Sequence, residues 1–197
     1  MFHVEHRRMD YHLHTNHSMD GRQTMPELCE TMLARGVQEI ALTEHIEPGH
    51  PEEEMDVPPV WADWLAEIAR CRAAYPALII RSGIEIGDNP LCRAETKALL
   101  DTLPLDFRLL SLHLVNGVDC YDSEKYFTGK TRAQAYREYA EAKAESILDW
   151  EDFDSVAHIG YVAKFSIYTG KERALVYEDA PDAFDAIFRH VIALGKC

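Results

Sequence analysis

Short apolar runs alternate along this chain with longer segments of helical periodicity. The runs at residues 10–15, 39–43, 77–86, 107–112 and 155–159 have the length and the aliphatic content of buried strands. Between and after them, residues 26–35, 61–75, 93–103, 132–150 and 181–194 space their apolar positions three and four apart, as Trp61, Trp64, Leu65, Ile68 and Cys71 do. Boundary residues agree with this division. Pro26 and Pro181 stand in first turns, where a missing N–H costs nothing, while Gly36 and Pro76 follow helix ends. Residues 47–59 hold five acidic residues and four prolines and read as a loop, as do residues 115–130. Steady βα alternation predicts an α/β fold with a parallel sheet and helical crossovers. A length of 197 residues with 47% hydrophobic content fits one domain. Five βα units are too few to close an eight-stranded barrel.

Composition narrows the partners. A formal net charge of −14 disfavours a standing contact with a nucleic-acid backbone, which needs clustered Lys and Arg. The five cysteines are widely spaced with no C-x-x-C pair, which argues against a disulfide framework or zinc ribbon and for a reducing cytoplasm. No apolar run approaches the ~20 residues of a membrane span, so no membrane contact is expected. Residues 1–8 lack a signal-peptide core and read as an N-terminal extension, with His3 and His6 outside the chemistry. The domain is expected over residues 9–197.

Candidate chemistry gathers at the ends of the strand-like runs. His12 and His14 stand at i and i+2, on one face of an extended strand, and Asp20-Gly21 follows. Thr43-Glu44-His45, Gly83-Ile84-Glu85, Ser111-Leu112-His113 and Ala157-His158 stand at the next four ends. In parallel βα barrels the active site lies where strands run into the following loops. Glu85 sits in an apolar context where an unpaired charge costs several kcal/mol, a cost that metal ligation removes. Glu44 is expected to point away, and His17, His50 and His190 to be structural or solvated. Imidazole and carboxylate without thiolate favour Zn²⁺, Mn²⁺ or Fe²⁺ in a polynuclear site. Closely spaced cations activate water and neutralise phosphoryl oxygens during in-line displacement. Metal-assisted hydrolysis of a phosphate ester is the best reading, and an amide in a cyclic substrate fits the same cluster. No catalytic side chain is assigned beyond water activated by the cations.

These motifs, in this order from about Met9 onward, resemble the PHP (polymerase and histidinol phosphatase) superfamily, most closely its histidinol-phosphatase branch. The resemblance implies a distorted (β/α)₇ TIM-like barrel holding two to three divalent metal ions. It implies His12 and His14 on the first metal, and Glu85 bridging it to a second that His113 and His158 complete. Asp20 and His45 fall on the third, and Lys164 contacts substrate phosphate. Tyr121, Asp122 and Tyr126 are expected to shape the pocket. The family's last motif, Gly-Ser-Asp-x-His, is absent from this sequence. The expectation is therefore a barrel truncated after about five βα units, completed by a homo-oligomer or a second polypeptide. The implied activity is hydrolysis of a small phosphate monoester, L-histidinol phosphate, by a cytoplasmic enzyme of histidine biosynthesis. The alternatives are another PHP phosphoesterase acting on a nucleotide, nucleic acid or phosphotyrosine, and an inactive metal-binding fragment.

Overall fold

The computed structural model describes residues 7–197. The N-terminal extension expected over residues 1–8, with His3 and His6, lies outside the described residues except for Arg7 and Arg8. Those two reach back to the Glu39 carboxylate and the Arg35 carbonyl.

Strands β1 (Met9–Leu13), β2 (Glu39–Ile46), β3 (Ile79–Gly87) and β4 (Phe107–Ser111) pair in chain order, all parallel. Helices α1 (Met25–Ala34), α2 (Trp61–Ala74) and α3 (Arg93–Leu100) supply the crossovers. A hairpin of β5 (Leu114–Val115) and β6 (Val118–Asp119), the short α4 (Ser123–Phe127) and the long α5 (Arg132–Leu148) then lead to β7 (Ser155–Val156), the fifth strand of the main sheet. The sheet curls into a half-barrel, consistent with part of a TIM-like barrel. A turn of helix α6 (Tyr161–Lys164), two 3₁₀ turns and α7 (Pro181–Ala193) follow.

Several boundaries differ from the sequence expectation, each for a local reason. The third helix stops at Leu100 because Pro104 disfavours helical backbone just before it, and Leu99 and Leu100 accept closing turn bonds from Thr102 and Leu103. The fifth strand shrinks to two residues, since its register with β4 pairs Ser155 with Leu109 and Val156 with Leu110 and runs no further. Within 115–130, the loop is a hairpin turned by Asn116 (φ 52°) and Gly117 (φ 77°). That backbone suits the right-handed twist of paired strands and is readily adopted by Asn-Gly. The short helix after it is capped by Asp122, whose side chain accepts from the Lys125 N–H, so Asp122 serves the helix rather than the pocket. Tyr126 is buried in the core and donates to the Ala135 carbonyl.

The core has two main parts on the sheet. Met25, Leu28 and Cys29 of α1 and Trp64, Ile68 and Cys71 of α2 pack on Ile40, Leu42 and Ile80. Ala140, Ala144 and Ile147 of α5 and Ile187 of α7 pack on Ile84, Ile86 and Leu110. Each such aliphatic side chain contributes roughly 1.5–3 kcal/mol on burial. A capping box, Thr131 with Gln134, starts α5 and satisfies two of its free N–H groups. Lys143, on the sheet-facing side of α5, is fully buried. Among the described residues no helix is long and apolar enough to cross a membrane.

Candidate metal-binding site

The parallel register brings the chemistry to one edge. His45 of β2 lies directly beside Glu85 of β3, two residues before the end of that strand. His12 stands near the end of β1 and His14 just past it, while His113 and His158 each stand two residues beyond β4 and β7. All are at carboxyl ends of strands, the face that parallel βα sheets use for binding.

The loop after β1 is fixed by β2. The Thr43 hydroxyl accepts from the Leu13 N–H and donates to the Leu13 carbonyl. Glu44 turns to the opposite face from His45, as expected from strand alternation, and accepts from the Thr15 N–H and hydroxyl and from the Ser18 hydroxyl. Ser18 in turn accepts from the His45 N–H at 2.9 Å. Gly21 completes the loop by close approach: a Cβ there would lie 1.8 Å from the Thr15 carbonyl oxygen. Asp20 is thereby swung toward His45, 3.6 Å from its Nε2.

At the centre is Glu85, whose side chain is 1% exposed. Its Oε2 lies 2.9 Å from His12 Nε2, 3.2 Å from His14 Nε2 and 3.6 Å from His45 Nδ1. Its Oε1 lies 3.0 Å from His158 Nε2 and 3.3 Å from His113 Nε2, and also accepts from the Ser111 hydroxyl. The His14 and His45 rings stack at 4.3 Å. Burial raises the Glu85 carboxyl, but hydrogen bonds from His113, His12, His14 and His158 hold it well below the usual range. Burial also opposes charge on His45, yet Asp20, Glu47 and Glu85 outweigh it and push its pKa up to about 11. The same balance with Glu47 and Glu85 lifts His113 to about 9, whereas burial wins at His158 and lowers it.

The donor set fits divalent cations. An ionised carboxylate offers about four lone-pair sites, too few for the four imidazole nitrogens within 3.3 Å and the one hydroxyl that converge on Glu85. Among the described residues three groups bring one donor atom from each member within 4.8 Å of the others: His12–Glu85–His158, His14–Asp20–His45 and His45–Glu85–His113. Nitrogen and oxygen donors without thiolate suit Zn²⁺, Mn²⁺ or Fe²⁺. This grouping cuts across the ligand sets implied by resemblance, because His14 stands with Asp20 and His45 while still touching Glu85.

A cavity of about 830 Å³ opens over the cluster, walled by Asp119, Tyr121, Tyr161, Lys164 and Phe165. Lys164 of α6 is exposed and lines it, as does Tyr121. His17 pairs with Glu67 at 2.8 Å and His190 lies 2.9 Å from the Trp150 carbonyl. Neither joins the cluster. His50 is buried, accepting from the Glu52 N–H and donating to Asp119 at 3.2 Å. Asp119 also accepts from the Tyr161 hydroxyl at 3.1 Å.

Four residues named here escape the sequence reading: Asp119, Tyr161, Phe165 and Glu47. The first three arrive from segments without periodicity. Glu47 carried a usable signal, since it follows His45 at i+2 and so falls on the same strand face. It is buried between His45 and His113, which hold it down to about 2 against the upward pull of burial.

The PHP domain model matches residues 10–197. The histidinol-phosphatase of Lactococcus lactis subsp. lactis (strain IL1403) is 30% identical over 166 residues, covering 84% of this chain and 61% of that protein. The probable histidinol-phosphatase of Clostridium acetobutylicum is 25% identical over 93% of this chain and 68% of its own length. The chain thus spans about two thirds or less of the length of these relatives. Among solved structures, histidinol phosphate phosphatase from Lactococcus lactis, complexed with Zn, L-histidinol and phosphate, superposes with a TM-score of 0.90 at 26% identity, over 96% of this chain and 71% of that one. A structure from Listeria monocytogenes, 19% identical with a TM-score of 0.72 over 95% of this chain and 78% of that one, shares the fold. With the histidine–carboxylate strand ends in place and a model match from β1 to the last residue, the chain belongs to the PHP domain family.

Proposed function

We propose that this chain carries a divalent-metal-dependent phosphoesterase site that hydrolyses a small phosphate monoester, L-histidinol phosphate first among them. The observation that carries the reading is the convergence of five imidazole nitrogens on the buried Glu85 at the floor of an open cavity. His12, His14, Asp20, His45, Glu85, His113 and His158 would hold two to three ions, Zn²⁺, Mn²⁺ or Fe²⁺. Bound there, divalent cations supply an activated water and charge neutralisation for a phosphoryl group.

The chain's own groups do the rest. Glu85 keeps its negative charge because the imidazoles hold its carboxyl low. Lys164, on the cavity wall, would meet a phosphate oxygen with its ammonium group. Tyr121, Tyr161 and Phe165 offer ring surface to the organic part of the ester. The relatives named histidinol-phosphatase and the likeness to a complex with L-histidinol and phosphate support this substrate. We read the five-stranded half-barrel as part of the (β/α)₇ architecture that the motifs imply.

The test is phosphate release from L-histidinol phosphate by the Mn²⁺- or Zn²⁺-loaded chain, beside Lys164→Ala. We expect turnover by the parent, and in Lys164→Ala a KM raised about tenfold with kcat little changed, the loss of one charge-assisted bond. No release by the loaded parent would sink the histidinol-phosphatase reading. Equal KM values would remove Lys164 from the phosphate site.

A further inference from the structure

Resting on the metal-binding reading above, we propose that Glu47 is a positioning residue shared by two ligand groups. Its carboxylate fixes the orientation and tautomer of His45 and His113 together. Oε1 of Glu47 lies 3.0 Å from His45 Nδ1 and 2.8 Å from His113 Nδ1. An oxygen that accepts from both Nδ1–H groups leaves both Nε2 lone pairs free for ligation. Those Nε2 atoms face the right way. That of His45 looks toward Asp20, at 3.6 Å, and that of His113 toward Glu85, at 3.3 Å. One buried acceptor therefore serves both the His14–Asp20–His45 group and the group containing His113 and Glu85.

The seat for Glu47 is built by a second residue. A Cβ at position 87 would lie 1.9 Å from Glu47 Oε2 and 2.4 Å from its Cδ. Gly87 is not among the positive-φ glycines, so its backbone does not require glycine. The space does. The end of β3 is thus left bare to admit a carboxylate that follows directly on β2 and supports a histidine beyond β4. Ligating histidines that lose such an outer partner hold metal 10–100-fold more weakly. A carboxylate that merely glued strands together would leave metal affinity untouched.

The experiment measures zinc affinity of the full chain by chelator competition, with histidine tautomers read by long-range ¹H–¹⁵N NMR of the zinc-loaded protein. The parent is compared with Glu47→Ala, Glu47→Gln and Gly87→Ala. We expect affinity to fall about 100-fold in Glu47→Ala and about tenfold in Glu47→Gln, whose carbonyl still accepts but carries no charge. Gly87→Ala should reproduce the loss by evicting the carboxylate. The Nδ1–H signatures of His45 and His113 should weaken in step. Parental affinity and tautomers in the Glu47 variants would overturn the proposal while leaving the metal reading intact. Should Glu47→Ala fail to fold, the near-isosteric Glu47→Gln decides alone. A parent chain that binds no zinc would fell the metal reading and this inference with it.

Discussion

Glu85→Gln is expected to cut phosphate release by at least about a thousandfold, some 4 kcal/mol of transition-state stabilisation, and to lower bound metal in parallel. Two of the three ligand groups include this carboxylate, and it is the only anion in each. An amide keeps the shape but surrenders the charge, so each cation would be held by neutral imidazoles alone. The change should spare the fold. Ser111 can still donate to the amide carbonyl, and the strand register around residue 85 is set by backbone pairing with β2 and β4. Circular dichroism together with metal content checks this: a folded variant with full metal and undiminished turnover would exclude Glu85 as a ligand.

The second large effect concerns stability. Lys143→Met is expected to stabilise the chelated protein by about 4 kcal/mol at pH 7, with the gain vanishing toward pH 10.5. Burial on α5 pulls the Lys143 ammonium down from 10.5 to about 7, against the attraction of Glu85 and Asp88. Its Nζ has no hydrogen-bond partner among the described residues. The folded pKa lies below the unfolded one, so between about pH 7 and 10.5 the unfolded chain binds the extra proton. Stability of the parent must therefore rise with pH across that window, and below pH 7 the full cost of the buried lysine persists. Methionine keeps the length and removes the base. Urea unfolding of both proteins in EDTA at pH 7, 8.5 and 10 measures the gap, and a gap that stays constant with pH would refute the assignment.

The strand ends were the legible part of this molecule. Alternation places His12, His45 and Glu85 on predictable faces, and apolar runs mark where strands stop, so a polar residue there stands out. Glu44 could be assigned to the opposite face from His45 for the same reason. Less legible was everything whose meaning depends on a distant partner. Glu47 opens an acidic, proline-rich stretch, and its neighbours gave it the look of a solvated loop. Its burial rests on His45, on His113 from beyond β4 and on the bare Gly87. His50 read as solvated or structural, and its burial against Asp119 is set by a hairpin 69 residues away. That hairpin carried its own signal in Asn116-Gly117, a pair with a strong preference for such turns. Lys143 lies in a helix rich in charged residues, and only its three- and four-residue spacing from Tyr139, Ala140 and Ile147 marks it as on the buried face. The resemblance implied His14 beside His12, whereas the folded loop also brings it to Asp20 and His45, because His14 reaches both Glu85 and that side once the loop closes over Gly21.

The most direct measurement is the metal content of the chain after loading with Zn²⁺ or Mn²⁺ and removal of free ion, by inductively coupled plasma mass spectrometry beside Glu85→Gln. A polynuclear site built on Glu85 predicts two to three ions per chain in the parent and a clear loss in the variant. Fewer than one ion per chain, or equal content in both proteins, would contradict it.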